Sequence, residues 1–133
     1  MAGPMIADGR GNDVVPASEE ELLAELRRLD AEFRSEKEPR IVVIYADRVA
    51  EVTPTLSLGL GADEATLVYD DGLSSAYSRG RHPDDESEIG YEYGDGYSEF
   101  PGWTRVSLPD AFAAAAEFFR AGRRPTNVDW VEV

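Results

Sequence analysis

The chain carries a single histidine, His82, and no cysteine. A Cys–His pair is therefore impossible. A lone histidine followed by Pro83 in a polar run lacks the positioned neighbours that a metal site or a general base needs, so it reads as an ordinary loop residue. A Ser–His–Asp arrangement would also depend on His82, yet no G-x-S-x-G elbow is present to expose a serine. Gly59-Leu60-Gly61 supplies the first two glycines of a dinucleotide loop. The third position is Glu64, whose carboxylate repels pyrophosphate, and a strand pattern rather than a helix follows. These glycines read as turn glycines. Carboxylates are what the chain has in quantity. Asp70-Asp71, Asp84-Asp85-Glu86 and the Glu92/Asp95 pair are the groupings able to hold a hard cation or do acid–base work. The run from Asp84 to Glu88 lacks the spaced ligands and the glycine of a calcium loop, so it reads as solvated acidic chain. No cofactor and no metal are expected.

The mixture over 84–99 is more specific. Asp84, Asp85, Glu86, Glu88, Glu92, Asp95 and Glu99 occur there without one basic residue, interleaved with Tyr91, Tyr93 and Tyr97 and followed by Phe100 and Trp103. Tyrosine is favoured at protein interfaces because it offers rigid apolar area with a polar tip, and carboxylates beside it pair with lysine and arginine of a basic partner. Tyr69, Asp70 and Asp71 form a second candidate patch of the same kind. The plainer alternative is an exposed hairpin whose tyrosines merely cover a sheet. The charge balance of the whole chain, −14, points the same way. Phosphate repels such a surface, so nucleic acid and anionic membrane are not expected as direct partners, and a basic protein is.

The elements that must position these residues follow from periodicity. With 133 residues and 42% hydrophobic content, one domain is expected. Residues 1–17, rich in Gly, Pro and Asp and without periodicity, read as a mobile tail preceding a domain over 18–133. They contain no basic leader followed by an apolar block. Together with the absence of cysteine, this makes the reading cytoplasmic. Ser18 and Glu21 form a capping box ahead of an apolar stripe of Leu22, Leu26, Leu29 and Phe33, which predicts an amphipathic helix. Ile41 to Ala46 is a run suited to a strand buried on both faces, and Leu56, Leu58 and Leu60 alternate as a half-buried strand does. Asp71-Gly72 between two strand-like runs predicts a hairpin with a type I′ turn. A second hairpin is expected around Gly94-Asp95-Gly96, with Tyr97 to Phe100 as the return strand.

Ser107 then caps a second helix, whose spacing places Phe112, Ala115, Ala116 and Phe119 inward. Gly122 ends it and Pro125 prevents its resumption. The segment from Asn127 to Val133 alternates as a strand, with Val128 and Trp130 on one side. The predicted fold is α+β: a mainly antiparallel sheet with an N-terminal and a C-terminal helix packed on one face.

The run Phe118-Phe119-x-x-Gly122-x-Arg124-Pro125-x-x-Val128-x-Trp130 resembles the C-terminal signature of the Imm1 family of bacterial immunity proteins. That resemblance implies a small cytoplasmic α+β protein encoded beside a polymorphic toxin, one family member being directed against a DNA cytosine deaminase. It implies a non-enzymatic inhibitor of a cognate toxin domain, a deaminase or nuclease whose cationic substrate cleft the acidic surface would fill. It fixes no toxin contacts. The motif residues Phe118, Phe119, Gly122, Arg124, Pro125 and Trp130 read as fold determinants, with Phe119 and Trp130 in the core and Arg124 at the helix-end carbonyls. Two readings from the residues alone stand beside it: a small carboxylate-dependent hydrolase, and an acidic subunit of a larger assembly.

Overall fold

A computed structural model describes residues 2–133. Strands β1 (Met5–Ala7) and β2 (Asp13–Val14) precede helix α1 (Glu19–Glu36). Then come β3 (Arg40–Tyr45), β4 (Thr55–Leu60), β5 (Glu64–Asp70), β6 (Ser75–Arg79) and the hairpin β7 (Glu88–Tyr93) and β8 (Gly96–Pro101). A short 3-10 turn, β9 (Arg105–Ser107), helix α2 (Leu108–Ala121) and β10 (Asp129–Glu132) close the chain. The main sheet runs β10-β6-β5-β4-β3-β1-β2, with β9 also on β5. Every pairing is antiparallel except a single parallel contact of β3 with β7 at Arg40 and Glu92. Both helices lie on one face, so the α+β expectation holds.

Helix α1 forms as its sequence requires. The Ser18 side chain accepts the Glu21 N–H, and Leu22, Leu26, Leu29 and Phe33 are all buried. Helix α2 is capped by Ser107, which accepts the Asp110 N–H, and ends at Gly122 in the left-handed region, φ 66°, whose N–H bonds the Phe118 carbonyl. Its inward face is turned by about one residue from expectation: Ala111, Ala114, Ala115, Ala116 and Phe118 are buried, so Ala115 and Ala116 lie inward as expected, while Phe112 and Phe119 are only partly buried at the flanks. The alanine run fits either register of the 3.6 period, and the face that meets α1 and the sheet is the one with more alanine, which lets backbones approach.

Strand β3 is buried on both sides, as expected. Val42 and Ile44 join the core under the helices, whereas Ile41 and Val43 join a smaller cluster with Tyr91 and Phe100 on the opposite face. That second face is roofed by the β7–β8 hairpin. Gly59 is inside β4 rather than in a turn: the Tyr91 ring lies 2.5 Å from where its Cβ would stand. Gly61 does turn the chain, at φ 98°.

Three expectations are corrected. The stretch 1–17, read as a mobile tail, contains sheet strands in its described part, 2–17: β1 pairs with β3, and Ile6 is 1% exposed. Strands this short carry no readable periodicity. The Asp8 carboxylate ties them, accepting the backbone N–H groups of Arg10 and Asn12 and the Asn12 side-chain amide. The β5–β6 connection is not a type I′ turn, since Gly72 alone has positive φ there. The Asp71 carboxylate accepts the N–H of Leu73 and of Ser74, and the Asp71 N–H bonds the Ser74 carbonyl. Those aspartate bonds favour a wider loop that leaves Leu73 exposed. Finally, Arg124 pairs with Glu132 at 2.9 Å, not with helix-end carbonyls. The position of the last strand, open from sequence, is the sheet edge beside β6.

Candidate functional site

The acidic stretch divides into parts with different environments. Register in the hairpin pairs Ile89 with Phe100, Tyr91 with Ser98 and Tyr93 with Gly96, so these share the face turned to the sheet. Glu88, Gly90 and Glu92, with Pro101, Glu99 and Tyr97, share the outer face. Tyr91 is 2% exposed. Burial pushes its phenol up, and its hydroxyl stands 3.2 Å from the Thr66 hydroxyl. It is a core residue and leaves the set of candidate contacts. Tyr69 leaves it for the same reason. It is 7% exposed under the helices, edge-on to Phe118 and Trp130 at 6.2 and 6.4 Å. The alternation carried the signal for both: Ile89 and Tyr91 oppose Glu88 and Glu92, and Tyr69 continues the buried series Ala65, Leu67.

Of the second patch, Asp70 and Asp71 are partly buried and bound within their own loop, where Asp70 accepts the Gly72 N–H and the Ser75 hydroxyl. The Ser74 N–H first, and the Leu73 N–H after it, hold the Asp71 carboxyl below its usual range. Within the loop before β7, Asp84 and Glu86 are exposed, but Asp85 is committed internally. It accepts the Ser87 hydroxyl and backbone N–H and pairs with Arg105 at 2.5 Å, bonds that lower its carboxyl in that order of effect. Arg105 also lies 3.6 Å from Glu64 Oε1, which His82 Nε2 meets at 2.8 Å, while Arg81 stands 3.8 Å from Oε2. The histidine therefore clasps the loop to the start of β5. The sequence shows Glu64 only as a carboxylate out of place in a dinucleotide loop and gives no sign of Arg105, because their pairing joins segments about forty residues apart in the chain.

What remains on the hairpin is Glu88, Glu92, Tyr93, Asp95, Tyr97 and Glu99. Glu88, Asp95 and Glu99 are exposed, as are Tyr93 and Tyr97, and Glu92 is partly buried. Among the described residues none of these four acids has an ion-pair partner, whereas Glu19, Glu25, Glu32, Glu36 and Asp63 elsewhere do. Glu88 and Glu99 sit close enough to interact directly, and this raises the Glu99 carboxyl above its ordinary value of 4.5. A group raised in the folded state is destabilising while ionised, and that cost vanishes as pH falls through the raised value toward 4.5. Glu99→Gln is therefore expected to melt higher than the parent at pH 7, with the difference shrinking in acid. Paired thermal melts across pH would show it. An equal or lower melting temperature at neutral pH would mean that the two carboxylates do not strain the hairpin.

Under the hairpin's inner face runs an open groove of about 520 Å³. Ile41, Ser57, Val68 and Tyr77 floor it, and Tyr93, Ser98 and Phe100 wall it. Among the described residues no three His, Asp or Glu side chains converge as metal ligands do, and no helix is long and apolar enough to cross a membrane.

Helices on one face of an antiparallel sheet, with an acidic hairpin on the other, define a small α+β domain. The family model described as Immunity protein Imm1 matches residues 10–132, nearly the whole chain, and the chain belongs to that family. It is an immunity protein, and the partner of such a protein is its cognate toxin. No curated protein matches it.

Proposed function

We propose that the chain neutralises a nucleic-acid-targeting toxin domain, a deaminase or a nuclease, by laying the outer face of the β7–β8 hairpin across the toxin's cationic substrate cleft. The toxin-facing residues are Glu88, Glu92 and Glu99 with Tyr97, and Asp95 at the hairpin tip, flanked by Asp84 and Glu86; Tyr93, on the inner face, reaches the partner only at its exposed end beside the tip. The observation that carries this reading is the concentration of four acids without an ion-pair partner among the described residues on one hairpin, in a stretch, 84–99, that holds no basic residue. A carboxylate pair kept in mutual repulsion costs the free protein stability, and a basic partner relieves it. Inhibition is stoichiometric and no substrate is turned over. The net charge of −14 repels nucleic acid and attracts a basic toxin, so it speeds encounter and deters competing partners.

The test is co-expression in a bacterial host with the product of the neighbouring toxin gene, scored for survival. Growth is expected with the parent chain and its loss without it. Death in both cases removes the reading. Retention of protection by a chain whose hairpin acids are neutralised would remove this surface while leaving immunity itself.

A further inference from the structure

Strand β8 has one neighbour. It pairs with β7, and its other edge meets no strand among the described residues. The phase of the ladder is fixed at both ends. The Gly102 N–H donates to the Ser87 carbonyl, so the Ser87–Gly102 pair is a bonded one, and Ile89–Phe100, Tyr91–Ser98 and Tyr93–Gly96 follow in alternation. The Glu92 N–H donates to the Pro39 carbonyl, as an outward-pointing group on β7 must. By the same alternation the N–H and C=O of Tyr97 and of Glu99 point away from β7. None of these four groups has a hydrogen-bond partner among the described residues. Edge strands are templates for a further strand unless shielded.

The second observation is the groove. Ser98 and Phe100 wall it from β8. A strand laid along β8 would place every second side chain on the face of Ser98 and Phe100, over Ile41, Val68 and Tyr77, and the alternate ones beside Tyr97 and Glu99 on the outer face, with Glu88 one strand beyond. We propose that the free edge of β8 accepts an extended segment of the toxin as an added strand, one that alternates small or apolar residues with lysine or arginine. The inference rests on the toxin-binding reading and names the mode of contact within it.

The charge pattern selects this occupant over a second copy of the chain. Two β8 strands side by side would bring the exposed Glu99 of each copy toward the other, on chains that each carry −14. Glu99 and Pro101 thus deter self-pairing and leave the edge open to a basic strand.

Glu99→Pro removes one outward N–H and no internal bond, since proline is tolerated on an edge strand where its nitrogen faces solvent. Glu99→Gln removes the same charge and keeps the N–H. With the toxin domain of the neighbouring gene, disabled in its active site, Glu99→Gln is expected to bind within about tenfold of the parent, and Glu99→Pro about a hundredfold more weakly than Glu99→Gln. Melting temperatures of the free variants check that both fold. Should Glu99→Pro not fold, amide exchange in the parent decides. The Tyr97 and Glu99 N–H groups are expected to exchange fast in the free chain and at least about tenfold slower in the complex.

Equal binding by the two variants, or unprotected amides in the complex, overturns strand addition while toxin binding stands. No binding by the parent removes the toxin-binding reading and the inference with it. A dimer of the free parent that Glu99→Pro dissolves would assign the edge to a second copy and overturn the proposal.

Discussion

Reversing Glu88, Asp95 and Glu99 to lysine is expected to abolish protection while the domain stays folded. All three are exposed and free of ion pairs among the described residues, so no internal contact is lost. The substitution exchanges one like-charge pair, Glu88 with Glu99, for another of opposite sign, so the hairpin's internal repulsion is conserved. Each reversal adds two charges, which moves the chain from −14 to −8 and leaves it acidic and soluble. The sign facing a cationic cleft changes, and each attractive pair becomes repulsive. Close charge pairs across interfaces couple strongly, so affinity is expected to fall at least about a thousandfold and association to slow with it.

The matched control reverses Glu20, Glu21 and Asp110, which lie in the first turns of α1 and α2 on the other side of the sheet. It changes net charge equally, costs some helix-dipole stability, and is expected to keep protection. Calorimetric titration of both triple variants against the inactivated toxin separates surface from bulk charge. Equal affinities would show that the hairpin is not the inhibitory face.

The reach of the sequence can be judged element by element. Helix α1 was legible because its stripe is leucine and phenylalanine on a field of charge, so a single rotation fits. The inward face of α2 was not, because alanine satisfies every rotation and the docking geometry of α1 decides among them. The hairpin was legible as an alternation, and the same alternation separates Tyr91, beside Ile89, from the glutamates. Reading 84–99 as one mixed surface gave up that information. The N-terminal strands were hidden because three and two residues hold no period, and their tie to the domain is the pairing of β1 with β3, the buried Ile6 side chain and the pairing of Arg10 with Glu32 and Glu36 of α1. The charged clasp of Glu64, His82, Arg105 and Asp85 was hidden for a different reason. It exists only once β9 lies along β5, a pairing that local pattern does not encode.

Phe118→Ala is expected to be the more damaging of two substitutions within the family signature, and Trp130→Ala the milder. The sequence made Phe119 and Trp130 the core residues; the structure reverses that weighting. Phe118 is 1% exposed and its ring meets Tyr69 edge-on inside the main core. Trp130 is only partly buried, on the edge strand β10, with its Nε1–H held by the Pro125 carbonyl at 2.9 Å. Truncating a fully buried phenylalanine costs about 3–5 kcal/mol, and a tryptophan that keeps part of its surface in water loses less. For a domain of this size the first corresponds to a fall in melting temperature of roughly 10–20 °C.

The two residues flank the same ring, Tyr69, so the signature is read physically as a clamp. Gly122 ends α2, Pro125 turns the chain, and Trp130 returns to close on the tyrosine that Phe118 already touches. Coupling between the two substitutions follows. The double variant should lose less than the sum of the singles, because each removes a wall of one pocket. Thermal melts of the four chains test this. A Trp130→Ala loss equal to that of Phe118→Ala, with strict additivity, would mean that β10 holds the domain together independently of Tyr69.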